Sequence, residues 1–302
     1  MRIMHKHIAR AGVVFAALTA LHPFERVVAV AQTAAERATS VLSEARQAIG
    51  GDEKIANVRT LQASGDIRRS MGEMQMDGEL ELLIELPDKM RRDESIAAPA
   101  GGTMVRTEVL NGSEVWDDNS QRGGMGGHMA LVMRGPGGRE MNEEEIKEMR
   151  RRMRRAELSR YLLGLLLRTD APATYAGMAE APDGSADVIE VKPEQGPAMR
   201  LFIDRETRLP LMLSWRGPQQ RMMIRRAPRS GPPNPGSEMV REAPEAPPED
   251  ATWELRFDDY REVNGVRLPH RISRGVEGSI NEEWTIKSYK LNAAFKSSTF
   301  IK

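Results

Sequence analysis

The sequence predicts an α+β domain made mainly of antiparallel β-strands, with two helices. Three observations predict it. Apolar residues recur at every second position through long runs. Asn-Gly pairs sit between such runs, where tight hairpin turns need positive φ. Only two stretches carry apolar residues at helical spacing. Sheets of this kind curl into a sandwich or into an open or closed barrel.

The chain opens with Arg2, Lys6 and Arg10, then an uncharged apolar run from Ala11 to Leu21, then Ala29-Val30-Ala31 before Gln32. That order is a secretory signal peptide, and the run is shorter than the roughly 20 apolar residues a membrane span needs. We therefore expect residues 1–31 to be a signal peptide and 32–302 to form one exported, periplasmic domain. Cysteine is absent. No disulfide can staple the domain, no acceptor exists for an N-terminal lipid, and thiol catalysis and Cys-ligated metals are excluded. Of 44 basic and 44 acidic residues, the first 31 hold four basic and one acidic, so the remainder carries a net −3. Such a balance gives no overall field for nucleic acid.

The first helix is expected around Val41, Leu42, Ala45, Ala48 and Ile49, capped at Thr39 or Ser40 and ended by Gly50-Gly51. The clearest strand is 74–86, where Met74, Met76, Leu80, Leu82, Ile84 and Leu86 share one parity and glutamates hold the other. Residues 57–68 and 103–110 read as neighbours, and Asn111-Gly112 as a hairpin turn before Val115-Trp116. Residues 119–141 are a Gly- and Met-rich insertion. Asn142 then caps Glu143-Glu144-Glu145, opening a helix that continues to Leu165. Its Arg150, Arg151, Arg152, Arg154 and Arg155 read as a solvated face. Beyond it, strands are marked by Ile189 and Val191, by Met199, Leu201 and Ile203, and by Leu209, Leu211, Leu213 and Trp215. Residues 217–250, rich in Pro, Gly and charge, read as a loosely ordered insertion. Trp253, Leu255 and Phe257 mark the next strand. Asn264-Gly265 is the strongest hairpin signal, and Val266 to Ile272 and Ile280 to Ile286 complete the set.

The residues point away from catalysis. His128 and His270 are not spaced as a metal pair, and a lone strand histidine is most simply structural. Gly123-Gly124-Met125-Gly126-Gly127 has no following Lys-Ser/Thr and no βαβ setting, so it is not a phosphate loop. No G-x-S-x-G elbow occurs. The methionines around 125–153 could meet Cu(I), but thioethers also serve as gap-fillers, and no His or Cys pair accompanies them. No cofactor or metal is expected. The dry faces of the strands remain, and an apolar cavity lined by them binds apolar ligands.

Three stretches carry a resemblance: Ala48-Ile49-Gly50-Gly51 leading to Val58, Leu61 and Gly65; Leu201-Phe202-Ile203-Asp204, Thr207 and Leu209-Pro210-Leu211; and Phe257, Asp259-Tyr260-Arg261, Val263, Gly265-Val266 and Leu268-Pro269. Together they resemble outer-membrane lipoprotein-sorting and carrier proteins, the LolA/LolB-like group of periplasmic half-barrels. The resemblance implies an open antiparallel β-barrel with a helical lid, whose cavity holds acyl chains of a lipid or lipoprotein. The lining expected here is Leu80, Leu82, Ile84, Val109, Trp116, Leu201, Ile203, Leu211, Leu213 and Trp215. The chain is longer than typical carriers by its two insertions. A related branch of the same fold binds a membrane regulator protein, which makes a sensor or interaction module the alternative reading.

Overall fold

The computed structural model describes residues 32–72, 74–97, 101–122, 141–181, 184–194, 196–218 and 250–302. The expected signal peptide and most of the two insertions lie outside them. Helix α1 (Ala34–Ile49) is capped at Thr33, six or seven residues before the expected Thr39 or Ser40, because Thr33 and Glu36 form a reciprocal capping box. Gly50 at φ 140° ends it, as expected. A short helix α2 (Asp52–Asn57) follows. Helix α3 (Glu143–Leu166) opens on the expected Asn142, whose side chain accepts from the Glu145 backbone.

Among the described residues, twelve strands form one antiparallel sheet. They are β1 (Thr60–Met71), β2 (Met74–Glu85), β3 (Lys89–Ala97), β4 (Thr103–Asn111), β5 (Glu114–Arg122), β6 (Ala173–Ala181), β7 (Gly184–Val191), β8 (Met199–Asp204), β9 (Pro210–Pro218), β10 (Asp250–Val263), β11 (Val266–Val276) and β12 (Ser279–Leu291). Their spatial order is β5-β4-β3-β2-β1-β12-β11-β10-β9-β8-β7-β6. Two meanders are thus zipped together by their outermost chain elements, β1 and β12. The sheet stays open, with β5 and β6 as its edges. Since β5 and β6 are consecutive strands, the chain between them has to cross the whole sheet. Helix α3 is the described part of that crossing.

One face of the sheet packs against α1 and α3 and holds the main core. We call it the inner face. Leu61, Ala63 and Ile67 of β1 point there, as do Leu80, Leu82 and Ile84 of β2 and Trp284 and Ile286 of β12. Leu201 and Ile203 of β8, Leu213 and Trp215 of β9 and Leu255 and Phe257 of β10 join them. The outer face carries a second, smaller cluster in which Leu83 and Val109 lie under Phe300, with Trp116 and Phe295 packed against them. Phe295 and Phe300 meet edge-on, 5.8 Å between centroids.

Helix α3 needs close approach at one point. Gly164 faces Phe257, and a Cβ there would stand 2.3 Å from the ring's Cζ. Alanine favours a helix interior by roughly 1 kcal/mol over glycine. Even so, Gly164→Ala should destabilise the protein by about 1–3 kcal/mol, the typical cost of overpacking a core. Pairing it with Phe257→Leu should recover part of that loss. Equilibrium denaturation of the two single variants and the double variant measures the coupling. Additive effects would refute the contact.

Candidate functional site

The inner face is not uniformly apolar. Strand β3, which no apolar alternation in the sequence marks, places Met90, Arg92, Glu94 and Ile96 inward. Its inward row mixes charge with grease, so apolar alternation never flagged it. Glu108 of β4 and Glu282 of β12 point the same way, and all four charged residues are buried. Helix α3 brings Arg154 and Glu157 down onto them.

The result is one connected ion-pair network. Arg92 donates to Glu157 at 3.1 Å and to Glu282 at 2.8 Å, and also pairs with Glu94. Arg69 of β1 joins Glu94 at 3.0 Å and Glu282 at 2.6 Å. Arg154 pairs with Glu108, with Asp117 at 3.2 Å and with Glu157 at 3.3 Å. Arg274 of β11 reaches Glu157 at 3.3 Å. The Tyr161 hydroxyl donates to Glu157 at 2.9 Å, and the Trp284 indole donates to Glu282 at 2.7 Å. The Arg92 guanidinium lies 4.8 Å from the Trp284 ring centroid. Nearer the start of α3, Arg150 pairs with Asp117 and Lys147 with Glu114.

The charges set one another's acidity. Burial alone would raise Glu157, but Arg92, Arg274 and Arg154 outweigh it and hold the carboxyl at about 2. Glu282 is held low in the same way by Arg92, Arg274 and Arg69 against the cost of burial. Glu108 goes the other way: burial and the nearby Glu157 charge raise it. Burial, with Glu157 beside it, pushes the Tyr161 hydroxyl well up, so it remains a donor.

The expected solvated face of α3 is therefore only partly found. Arg152 and Arg155 are exposed, whereas Arg154 is buried among carboxylates. A run of arginines reads as surface because most of the acids that neutralise it lie far away in sequence. Glu108 and Asp117 supply that compensation here, with Glu157 one turn along the same helix.

Of the ten residues expected to line a cavity, seven share the inner face: Leu80, Leu82, Ile84, Leu201, Ile203, Leu213 and Trp215. Val109 and Trp116 do not join them. Strand parity turns Glu108 and Leu110 inward, so Val109 sits on the outer face, sealed at 0% exposure by the C-terminal segment. Leu211 is 40% exposed. The β8–β9 register shifts between Phe202 and Ile203, pairing Phe202 with Met212 and Ile203 with Pro210 and leaving Leu211 out of the inward row. The seven belong to the main core, packed together with side chains of the sheet and helices.

Two surface cavities accompany the site. One of about 510 Å³ lies on the outer face, among Ser64, Asp66, Glu79, Glu81, Asp93 and Lys287. The other, about 440 Å³, lies between α3 and the β7–β8 connection. His270 lines neither. It is buried against Tyr289, with ring centroids 5.2 Å apart, and burial with nearby Arg261 lowers its pKa. Among the described residues no group of three or more His, Asp or Glu is placed to hold a metal. No described helix is long and apolar enough to cross a membrane.

Glu157 predicts a pH dependence. Its carboxyl is held at about 2, below its ordinary 4.5. A depressed acid stabilises fully above its ordinary value and loses that contribution as pH falls through its folded value. Stability should therefore drop by on the order of 2–3 kcal/mol between pH 5 and pH 2 through this group. Glu157→Gln should cost roughly 3 kcal/mol at pH 7, because three arginines lose a buried partner, and should flatten the acid limb. Denaturant titrations across pH test both. An acid limb unchanged in the variant would show that Glu157 is not its source.

No family model and no curated protein matches the sequence. Solved structures do. The chain is similar over 88% of its length to 97% of a domain from Vibrio parahaemolyticus described as an outer membrane lipoprotein-sorting protein, at 11% identity and a TM-score of 0.44. It is similar over 88% of its length to 97% of a LolA superfamily protein from Nitrosomonas europaea, at 14% identity and a TM-score of 0.43. A fainter likeness reaches MucB in the MucA/MucB complex of Pseudomonas aeruginosa, at 11% identity over 86% of this chain and 99% of that one, with a TM-score of 0.20.

Proposed function

We propose that this is a non-enzymatic periplasmic binding protein that holds the acyl chains of a lipid or lipoprotein on the inner face of its half-barrel. The carrying observation is the way α3 closes that face. Its second half is greasy, with Leu158, Tyr161, Leu165 and Leu166 in the core. Its middle rests on the sheet through Arg154, Glu157 and their partners, and its first half through Lys147 and Arg150.

That division suits a removable plug. Exposing apolar surface costs about 25 cal/mol per Å², whereas a buried ion pair regains hydration on exposure that offsets much of its lost attraction. A lid seated on charges therefore lifts at lower cost than one seated on leucines alone. An acyl chain entering beneath it contributes about 0.8 kcal/mol per buried methylene, and it meets Leu80, Leu82, Ile84, Leu201, Ile203, Leu213 and Trp215. The guest takes space from α3 side chains instead of filling an empty chamber. The alternative reading, with the arginines of α3 as a docking surface for a membrane regulator, has less support. Arg150 and Arg154 are already committed to Asp117 and Glu108.

A polyene fatty acid that accepts tryptophan emission tests this reading, since Trp215 and Trp284 both lie on the inner face. Binding should occur at micromolar concentration. Glu157→Gln, which loosens the seat of α3, should speed association several-fold. Absence of energy transfer in both proteins at 100-fold higher concentration (~100 μM) would reject acyl binding.

A further inference from the structure

The cavity between α3 and the β7–β8 connection is not used by that reading. Its α3 wall is Arg152, Arg155, Ser159 and Arg160, which recur at helical spacing on one side. Opposite stand Pro193, Glu194 and Pro197, and Met199 closes one side. Three arginines and one glutamate thus line the cleft, and Glu148 reaches Arg152 at 3.7 Å, which leaves an excess of one to two positive charges.

Arg160 is the unusual member. Its guanidinium stacks over Trp215, 4.1 Å from the ring centroid. It makes no ion pair or hydrogen bond among the described residues, and its Nε is buried without a partner. Burial lowers its pKa to about 10, the opposite of the rise found at Arg92 and Arg154, where acids surround the cation. Arg155 spends one donor on the Gly112 carbonyl at 3.3 Å, and Arg152 has only a long contact to Glu148 at 3.7 Å. Each guanidinium carries five donors, so most stay free.

We propose that this cleft binds a phosphate monoester, as the headgroup of an anionic amphiphile whose tail follows the inner face. A guanidinium matches phosphate with paired donors. A phosphate monoester carries about −1.5 to −2 at neutral pH, which matches the cationic excess. At about 440 Å³ the cleft exceeds the needs of a phosphate group alone. Its apolar side leads from Met199 to Trp215, neighbours across β8 and β9 that both face inward. The tail assignment rests on the acyl-binding reading, but the phosphate assignment does not.

Calorimetry on the full chain tests it, with dihexanoyl phosphatidic acid, dihexanoyl phosphatidylcholine, inorganic phosphate and a neutral fatty alcohol as ligands. Phosphatidic acid should bind at least tenfold tighter than phosphatidylcholine, and inorganic phosphate more weakly but in competition with it. The preference should fall about tenfold or more in Arg160→Gln and in Arg152→Ala/Arg155→Ala, the scale of a lost charged hydrogen bond. Fatty-alcohol binding and the thermal midpoint should stay near those of the parent. Equal affinity for the two phospholipids, or a preference that survives in both variants, would overturn the phosphate site. Inorganic phosphate binding as tightly as phosphatidic acid would overturn the headgroup assignment in favour of a free-anion site. If the fatty alcohol binds without any phosphate preference, the cleft assignment falls and the acyl reading stands. If the preference is present but the alcohol fails to bind, the acyl reading falls and the phosphate site stands.

Discussion

Glu157 is the constraint on which the interior depends. It is buried on a helix, and Arg92, Arg154 and Arg274 approach it from β3, from its own helix and from β11. A carboxylate taken from water at this depth needs such partners, because isolated burial of a charge is costly. The partners need it equally. Arg92 is 2% exposed and touches three glutamates that come from β3, α3 and β12. Removing one member strands the rest, so the network fixes where α3 lies along the sheet more strictly than grease would. Apolar contacts tolerate sliding, whereas paired hydrogen bonds do not.

Topology explains why a helix sits there at all. The two meanders meet at β1 and β12, which leaves β5 and β6 at opposite edges. The chain that joins them must pass over one face. The inner face is available because the outer face between β2 and β5 is taken by Phe295 and Phe300. Helix α3 thus begins against β5, where Lys147 meets Glu114, and ends against β10, where Gly164 meets Phe257. Among the described residues, a helix over the inner face thus follows from strand order.

Much of this was legible in the sequence, and each miss has its own physical cause. Strands whose inward residues are all apolar, such as β2 and β10, announce themselves by alternation. The turn at Asn264-Gly265 was equally plain, since both residues adopt positive φ. Strand β3 was hidden because two of its inward residues are charged. Ion pairs such as Arg92–Glu157 join residues 65 apart in sequence, and no local pattern reports that. Val109 was placed by its greasiness rather than its parity. The C-terminal Phe300 and Phe295, with Trp116 across the strand pair, explain a fully buried valine on the outer face. Leu211 lost its place through a register shift that period-two counting cannot see.

The distribution of charge along α3 orders its function. Near the start, exposed pairs such as Lys147–Glu114 contribute little, as surface pairs do. In the middle, the buried network gives position but modest net stability. At the end, Leu165, Leu166 and the close contact of Gly164 with Phe257 give the strongest apolar attachment. Resistance to detachment therefore rises from the first turn to the last. On the acyl-binding reading, a helix graded in this way would open from its N-terminal half and stay anchored at its C-terminal half. The weakly attached part lies over β3, β4 and β5, and the strongly attached part holds against β10. Because Arg152 and Arg155 precede the apolar anchor while Arg160 and Trp215 adjoin it, the cationic cleft straddles the boundary between the two parts.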